Sequence, residues 1–336
     1  MVITTSSQED ISKRAFESLN KYFTVHEDEV VAIEILSPAF QPPDGITMQD
    51  GLSIGVPKKV LALAYIAARQ QFLANLNSDF SLPAALDATR VMLLFDPEHI
   101  TAANYRKRRL NALKNGTFLE HRSIYHRALR QELCFLNSIL TSPLHRQSKS
   151  PTLWFHRICV VEPLMSLELT GATEEQTSVF WRTELTAVCK AGEQHPKNYY
   201  AWQYARRFMA GRFSDNIDDI GLFVKDWCCK HPSDISGWSF LWFICLSMRS
   251  IARTDLLRNT LDYAINLKGM QESLWVFIRV ALAYETDVQS RAELSQILSY
   301  YNKDLQSTEY GSVLQMRVHT TIHWIEEHVS TAALGH

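Results

Sequence analysis

From Val56 onward the chain repeats apolar residues at intervals of three and four. "VLALAYIAARQQFLANL" (Val60 to Leu76), "LDATRVMLLF" (Leu86 to Phe95) and "YHRALRQELCFLNSIL" (Tyr125 to Leu140) each gather their apolar side chains on one stripe of a 3.6-residue helix. No later stretch alternates strictly enough for a half-buried strand, so the body is expected to be all-α. The first residues read differently. "VVAIEILS" (Val30 to Ser37) is β-branched and fits one short strand, while "PAFQPPDGITMQDGLSIGVPKK" is rich in Pro and Gly. The expected organisation is an irregular N-terminal segment over 1–55 and a helical array over 56–330.

Within the array a polar residue suited to a helix cap is followed four positions later by an aromatic, in most copies with a basic residue on the next turn. Thr101 leads to Tyr105 and Arg108, Ser150 to Trp154 and Arg157, and Asn198 to Trp202 and Arg206. Asp234 leads to Trp238, and Gln271 to Trp275 and Arg279. Successive aromatics stand 49, 48, 36 and 37 positions apart. The longer intervals contain the turn-rich stretches "TSPLHRQSKSP" and "LELTGATEEQ". A period in the thirties with two helices per unit predicts a right-handed superhelix, or solenoid, of helical hairpins. The polar residue would cap the second helix of each unit, the aromatic would fill the core, and the basic residue would bond an adjacent helix.

Charge and cysteine usage narrow the function classes. With 34 Lys+Arg against 36 Asp+Glu the formal net charge is -2, which argues against a nucleic-acid partner. The basic run Tyr105-Arg106-Lys107-Arg108-Arg109 reads as a solvated or salt-bridged helix face. Cys134, Cys159, Cys189, Cys228, Cys229 and Cys245 lie in apolar helical segments without CxxC spacing, and so read as reduced core residues. No apolar run approaches the ~20 residues of a membrane span, and the start lacks a signal-like apolar core, so a cytoplasmic protein without a transmembrane segment is expected.

Two other constellations are weaker. "RVHTTIHWIEEHV" sets His319 and His323 one turn apart, with Glu326, Glu327 and His328 following, but lacks the HExxH order, so no metal site is assigned. "SDNIDDI" clusters Asp215, Asp218 and Asp219, without the second acidic motif that a magnesium-dependent terpenoid synthase needs. It reads as a helix start.

"KNYYAWQYARRFM" resembles the N-Y-x-x-W-x-x-R signature of the α-subunit repeats of protein prenyltransferases, supported by "SPTLWFHRICVV", "QESLWVFIRVAL", "TAANYRKRRL" and "DISGWSFLWFIC". The resemblance covers roughly Leu82 to Tyr284. Tyr105 replaces the tryptophan in the first copy, Leu241 stands where arginine is expected in the fourth, and the third and fifth copies carry arginine four positions after tryptophan. These departures resemble the divergent α-subunit-repeat-containing proteins. The resemblance implies an α-like subunit of a heterodimeric protein prenyltransferase, moving a farnesyl or geranylgeranyl group from its diphosphate to a C-terminal cysteine of an acceptor protein. It further implies a β-subunit partner that holds the zinc, no cofactor on this chain, and an isoprenoid diphosphate as co-substrate. Lys197 and Tyr199 occupy the matching catalytic positions. The residues point the same way, because Lys197 stands outside a helix N-terminus, where N–H groups and the dipole favour an anion. The alternative is a non-catalytic helical-repeat scaffold that binds proteins along its surface.

Overall fold

The computed structural model describes residues 5–76, 83–114, 119–210, 216–307 and 312–332. They form fifteen helices and three short strands, so the all-α helical-repeat class holds. The chain divides into two compact units, Met1–Phe208 and Met209–His336.

The first unit begins with helix α1 (Thr5–Val25), then strands β1 (Ala32–Leu36), β2 (Met48–Asp50) and β3 (Ser53–Pro57). This corrects the expected irregular segment with a single strand. Ala15, Leu19, Tyr22 and Phe23 of α1 are buried at helical spacing among many polar residues, which dilute the signal in sequence. β1 and β3 pair in parallel, with Ile33 opposite Ile54, and β2 pairs antiparallel to β3. Tyr22 Oη donates to the Gly51 carbonyl at 3.2 Å, pinning the strand turn to α1.

Helices α2 (Lys58–Ala74), α3 (Pro83–Phe95), α4 (Ile100–Lys114), α5 (Leu119–Leu140), the single turn α6 (His145–Ser148) and α7 (Pro151–Glu168) follow. α8 (Glu174–Gln194) and α9 (Tyr199–Met209) come next. α8 opens on a reciprocal capping box between Thr173 and Gln176. α4 packs on α5 and α7, and α5 also packs on α7, so α4 meets both the next long helix and the one beyond it.

The second unit repeats that rule with α10 (Ile217–Lys230), α11 (Ile235–Cys245), α12 (Ser250–Asn266), α13 (Glu272–Ala283), α14 (Val288–Ser307) and α15 (Ser312–Ala332). α10 packs on α11 and α12, α11 on α13, and α13 on α15. Trp238 and Trp275 are among the largest fully buried side chains, each removing enough apolar surface to stabilise by roughly 2–3 kcal/mol. Asp218 and Asp219 stand in the first turn of α10, where Asp218 pairs with Arg249. Asp215 lies outside the described residues. His328 stacks on Trp324, and His323 Nδ1 lies 3.4 Å from Glu327. Among the described residues no group of three His, Cys, Asp or Glu could hold a metal ion, and no helix is long and apolar enough to cross a membrane.

Candidate functional site

The aromatics of the five copies, Tyr105, Trp154, Trp202, Trp238 and Trp275, are all buried. In three of them the indole makes the same local bond. Trp154 Nε1 donates to the Ser148 carbonyl at 2.8 Å, Trp238 Nε1 to that of Pro232 at 3.0 Å, and Trp275 Nε1 to that of Gly269 at 2.7 Å. Each acceptor lies six residues upstream, so the indole holds down the turn that leads into its own helix.

The capping expectation holds at three positions. Ser150 Oγ accepts from Leu153 N at 3.1 Å, Asn198 Oδ1 from Ala201 N at 3.3 Å, and Asp234 Oδ1 from Gly237 N at 2.9 Å. Gln271 occupies the N-cap of α13, but its side chain makes no capping bond. Thr101 is not a cap: α4 opens one residue earlier, and His99 Nδ1 accepts from Ala102 N at 3.3 Å.

The basic residues divide more sharply. Arg157 is 1% exposed; it bonds Glu184 of α8 and Tyr204 of α9 and donates to Asn137 at 3.1 and 3.2 Å. Tyr204 also donates to Glu184, so three helices meet at one buried carboxylate. Burial opposes the Arg157 charge, but Glu184 beside it holds its pKa above the ordinary value. Arg108, expected to play this part in the first copy, is exposed. Arg106 turns inward instead, giving two bonds to Glu132 at 2.6 and 2.7 Å, while His156 Nε2 meets the same carboxylate at 2.6 Å. Glu132 is held well below the ordinary carboxylate range: burial works against its charge, and Arg106 and His156 overcome it. Arg279 meets Glu272 of its own helix at 3.3 Å. Arg206 is half-buried, and burial lowers its pKa. Sequence reasoning missed Arg106, Glu132, His156, Glu184 and Tyr204. For Glu132, His156 and Glu184 the available signal was a titratable residue set inside an otherwise apolar helical stripe, whereas Arg106, one of four consecutive basic residues, carries no such signal.

One edge of the first unit gathers groups suited to chemistry. Asn198 is fully buried, and its amide donates to the Ser148 carbonyl at 3.0 Å and to Ser148 Oγ at 3.2 Å. The turn before α9 is thereby tied to the turn before α7. Lys149 and Lys197 each directly precede the cap of their helix, so the two tied turns carry two lysines. Lys197 is exposed with φ +60°, a left-handed conformation that favours glycine. The rings of His145 and His195 meet edge to face at 5.3 Å. The His195 pKa is lowered by burial first, then by His145 and Lys149. Tyr199 is 57% exposed and accepts from Gln203 Nε2 at 2.7 Å, with Tyr200 exposed beside it. The edge thus presents a lysine and two phenols at the start of α9, where the helix N-terminus favours negative charge.

The fold is that of a helical-repeat protein in which a buried aromatic stands one turn inside the second helix of each hairpin. The chain is a distant relative of proteins named for the prenyltransferase α-subunit repeat. It is 25% identical over 224 residues to protein prenyltransferase alpha subunit repeat-containing protein 1-A of Xenopus laevis, covering 59% of this chain and 47% of that one. It is 26% identical over 180 residues to the Homo sapiens repeat-containing protein 1, covering 49% of this chain and 40% of that one. Protein ECM9 of Saccharomyces cerevisiae is 22% identical over 256 residues, covering 74% and 63%. The ECM9 middle domain family matches residues 154–269. The chain spans about half the length of the Xenopus relative it matches.

Proposed function

We propose that the chain is the α-like subunit of a protein prenyltransferase, and that its edge at α9 contributes Lys197 to the transfer of a farnesyl or geranylgeranyl group. The observation that carries this reading is Lys197 itself: a side chain exposed on a left-handed turn, directly before the buried Asn198 cap. A non-glycine residue in that conformation costs about 1–2 kcal/mol and is often retained for function. In this reading a β subunit supplies the lipid pocket and a zinc that activates the acceptor's cysteine thiol. Lys197 stabilises the diphosphate, whose negative charge grows as the C–O bond breaks, and Tyr199 hydrogen-bonds it. The chain would be inactive without its partner.

A non-catalytic scaffold is the second reading, favoured by the exposed Tyr199 and Tyr200, which suit a protein interface. Purification of the tagged chain with its stoichiometric partners separates the two. The enzyme reading expects a prenyltransferase β subunit at one-to-one, and a heterodimer that transfers a labelled isoprenoid to a peptide ending in cysteine. Lys197→Ala should then lower transfer by about 10²-fold, the scale on which single charge-stabilising groups act. Undiminished transfer by an intact Lys197→Ala heterodimer would remove the catalytic role, and consistent isolation with other partners would favour the scaffold.

A further inference from the structure

We propose that the first unit holds a second site, independent of the α9 edge: a binding cavity for a small monocarboxylate with an apolar body, in which Arg109 receives the carboxylate. A cavity of about 300 Å³ opens between α1, α3, α4 and α5, at the low end of the ~300–1,000 Å³ typical of ligand pockets. Three arginines line it, Arg90, Arg106 and Arg109. Two of them are already engaged. Arg106 is held by Glu132 through two bonds and by Thr89 Oγ1 at 2.9 Å, with its face 4.4 Å from the Phe135 ring centre. Arg90 donates to Thr24 Oγ1 at 2.9 Å and pairs with Asp87 at 3.3 Å.

Arg109 is different. It is half-buried at the cavity wall, yet among the described residues no carboxylate lies within ion-pair distance of it. Burial works against its charge most and the neighbouring Arg106 adds to that, while Glu132, Tyr105 and Asp87 offset only part of it. A partly desolvated guanidinium without an ion-pair partner is incompletely compensated, and an anion entering the cavity supplies the missing partner.

The cavity also selects among anions. The guanidinium fork matches the two oxygens of a carboxylate. Glu27, Glu29, Asp87 and Glu132 line the same cavity and repel the second negative charge of a dianion such as a phosphate monoester, so a single negative charge is favoured. Phe23, Leu86 and Phe135 offer an apolar surface to the rest of the ligand.

Titration calorimetry of the full chain with sodium hexanoate tests the site, with hexanol, acetate and hexyl phosphate as comparators. Hexanoate should bind saturably and more tightly than the other three, and Arg109→Gln should weaken it by at least about tenfold. Without ligand, Arg109→Gln should unfold at the same urea concentration as the parent or higher, which a purely structural arginine would not permit. Hexanoate binding that is absent from the parent chain, or equal in Arg109→Gln, overturns the proposal; tighter binding of hexyl phosphate overturns the carboxylate assignment. Should Arg109→Gln fail to fold, Ala128→Leu fills the cavity while leaving every ion pair in place. Hexanoate binding that survives that change also overturns the site.

Discussion

Helices α7 and α9 begin alike and diverge within two turns. Each is preceded by a lysine and a buried capping residue, and each buries a tryptophan four positions beyond that cap. In α7 the lysine has ordinary backbone geometry, φ -98°, and the motif arginine is driven inward to join α5, α8 and α9. In α9 the lysine is held at φ +60° on the surface, and the motif arginine stays half-buried. The difference separates two duties that one motif can serve. A cation three residues behind the tryptophan holds helices together, whereas a cation in front of the cap faces whatever approaches the rim.

The largest effect should come from the inward arginine. Arg157→Ala strands Glu184 in the core and should lower stability by about 3–5 kcal/mol in urea unfolding. Replacing Arg157, Glu184 and Tyr204 together by Met, Leu and Phe should recover most of that loss, because the desolvation cost disappears with the charges. If the triple variant is no more stable than the single one, the network does not work as a unit.

The two turns give smaller, opposite responses. Asn198→Ala removes the cap of α9 and its tie to Ser148, and should cost about 2 kcal/mol. Lys197→Gly should raise stability by about 1 kcal/mol by relieving the left-handed strain, while Lys149→Gly should lower it by up to about 1 kcal/mol. Equal responses at the two lysines would erase the comparison drawn between them.

The smallest effect is a slope with pH. Burial lowers the His156 pKa in the fold, so the neutral ring is the stabilising form. That contribution is complete above the unfolded histidine value, about 6.5, and is lost as pH falls below it. Stability should therefore decline between pH 7 and pH 5, and His156→Gln should flatten that decline. Glu132, held low by Arg106, adds its own acid loss only below the ordinary carboxylate range.

Much of this was legible in the sequence, and the rest was hidden for physical reasons. The buried aromatics and three of the five caps follow from spacing, because a helix fixes which residues share a face and a cap must precede its helix by a set interval. The inward arginine of the first copy did not follow. Four consecutive basic residues, Arg106 to Arg109, leave the choice of face to a partner, and that partner, Glu132, lies 26 residues away on another helix. The same holds for Arg157 and Glu184, 27 residues apart. The left-handed backbone at Lys197 has no sequence signature, since lysine is not a residue that seeks it. Helix α1 was readable from Ala15, Leu19, Tyr22 and Phe23, but polar residues between them mask the stripe.

The indole-to-carbonyl bonds of Trp154, Trp238 and Trp275 each close a loop of only six residues. A closure that short is indifferent to how much chain lies between one tryptophan and the next. The intervals of 49, 48, 36 and 37 residues then cease to be irregularities of a repeat. They record helix length: α7 and α8 run 18 and 21 residues where α11 and α12 run 11 and 17, so added chain is taken up within the helices while the indole closure at each helix start stays the same.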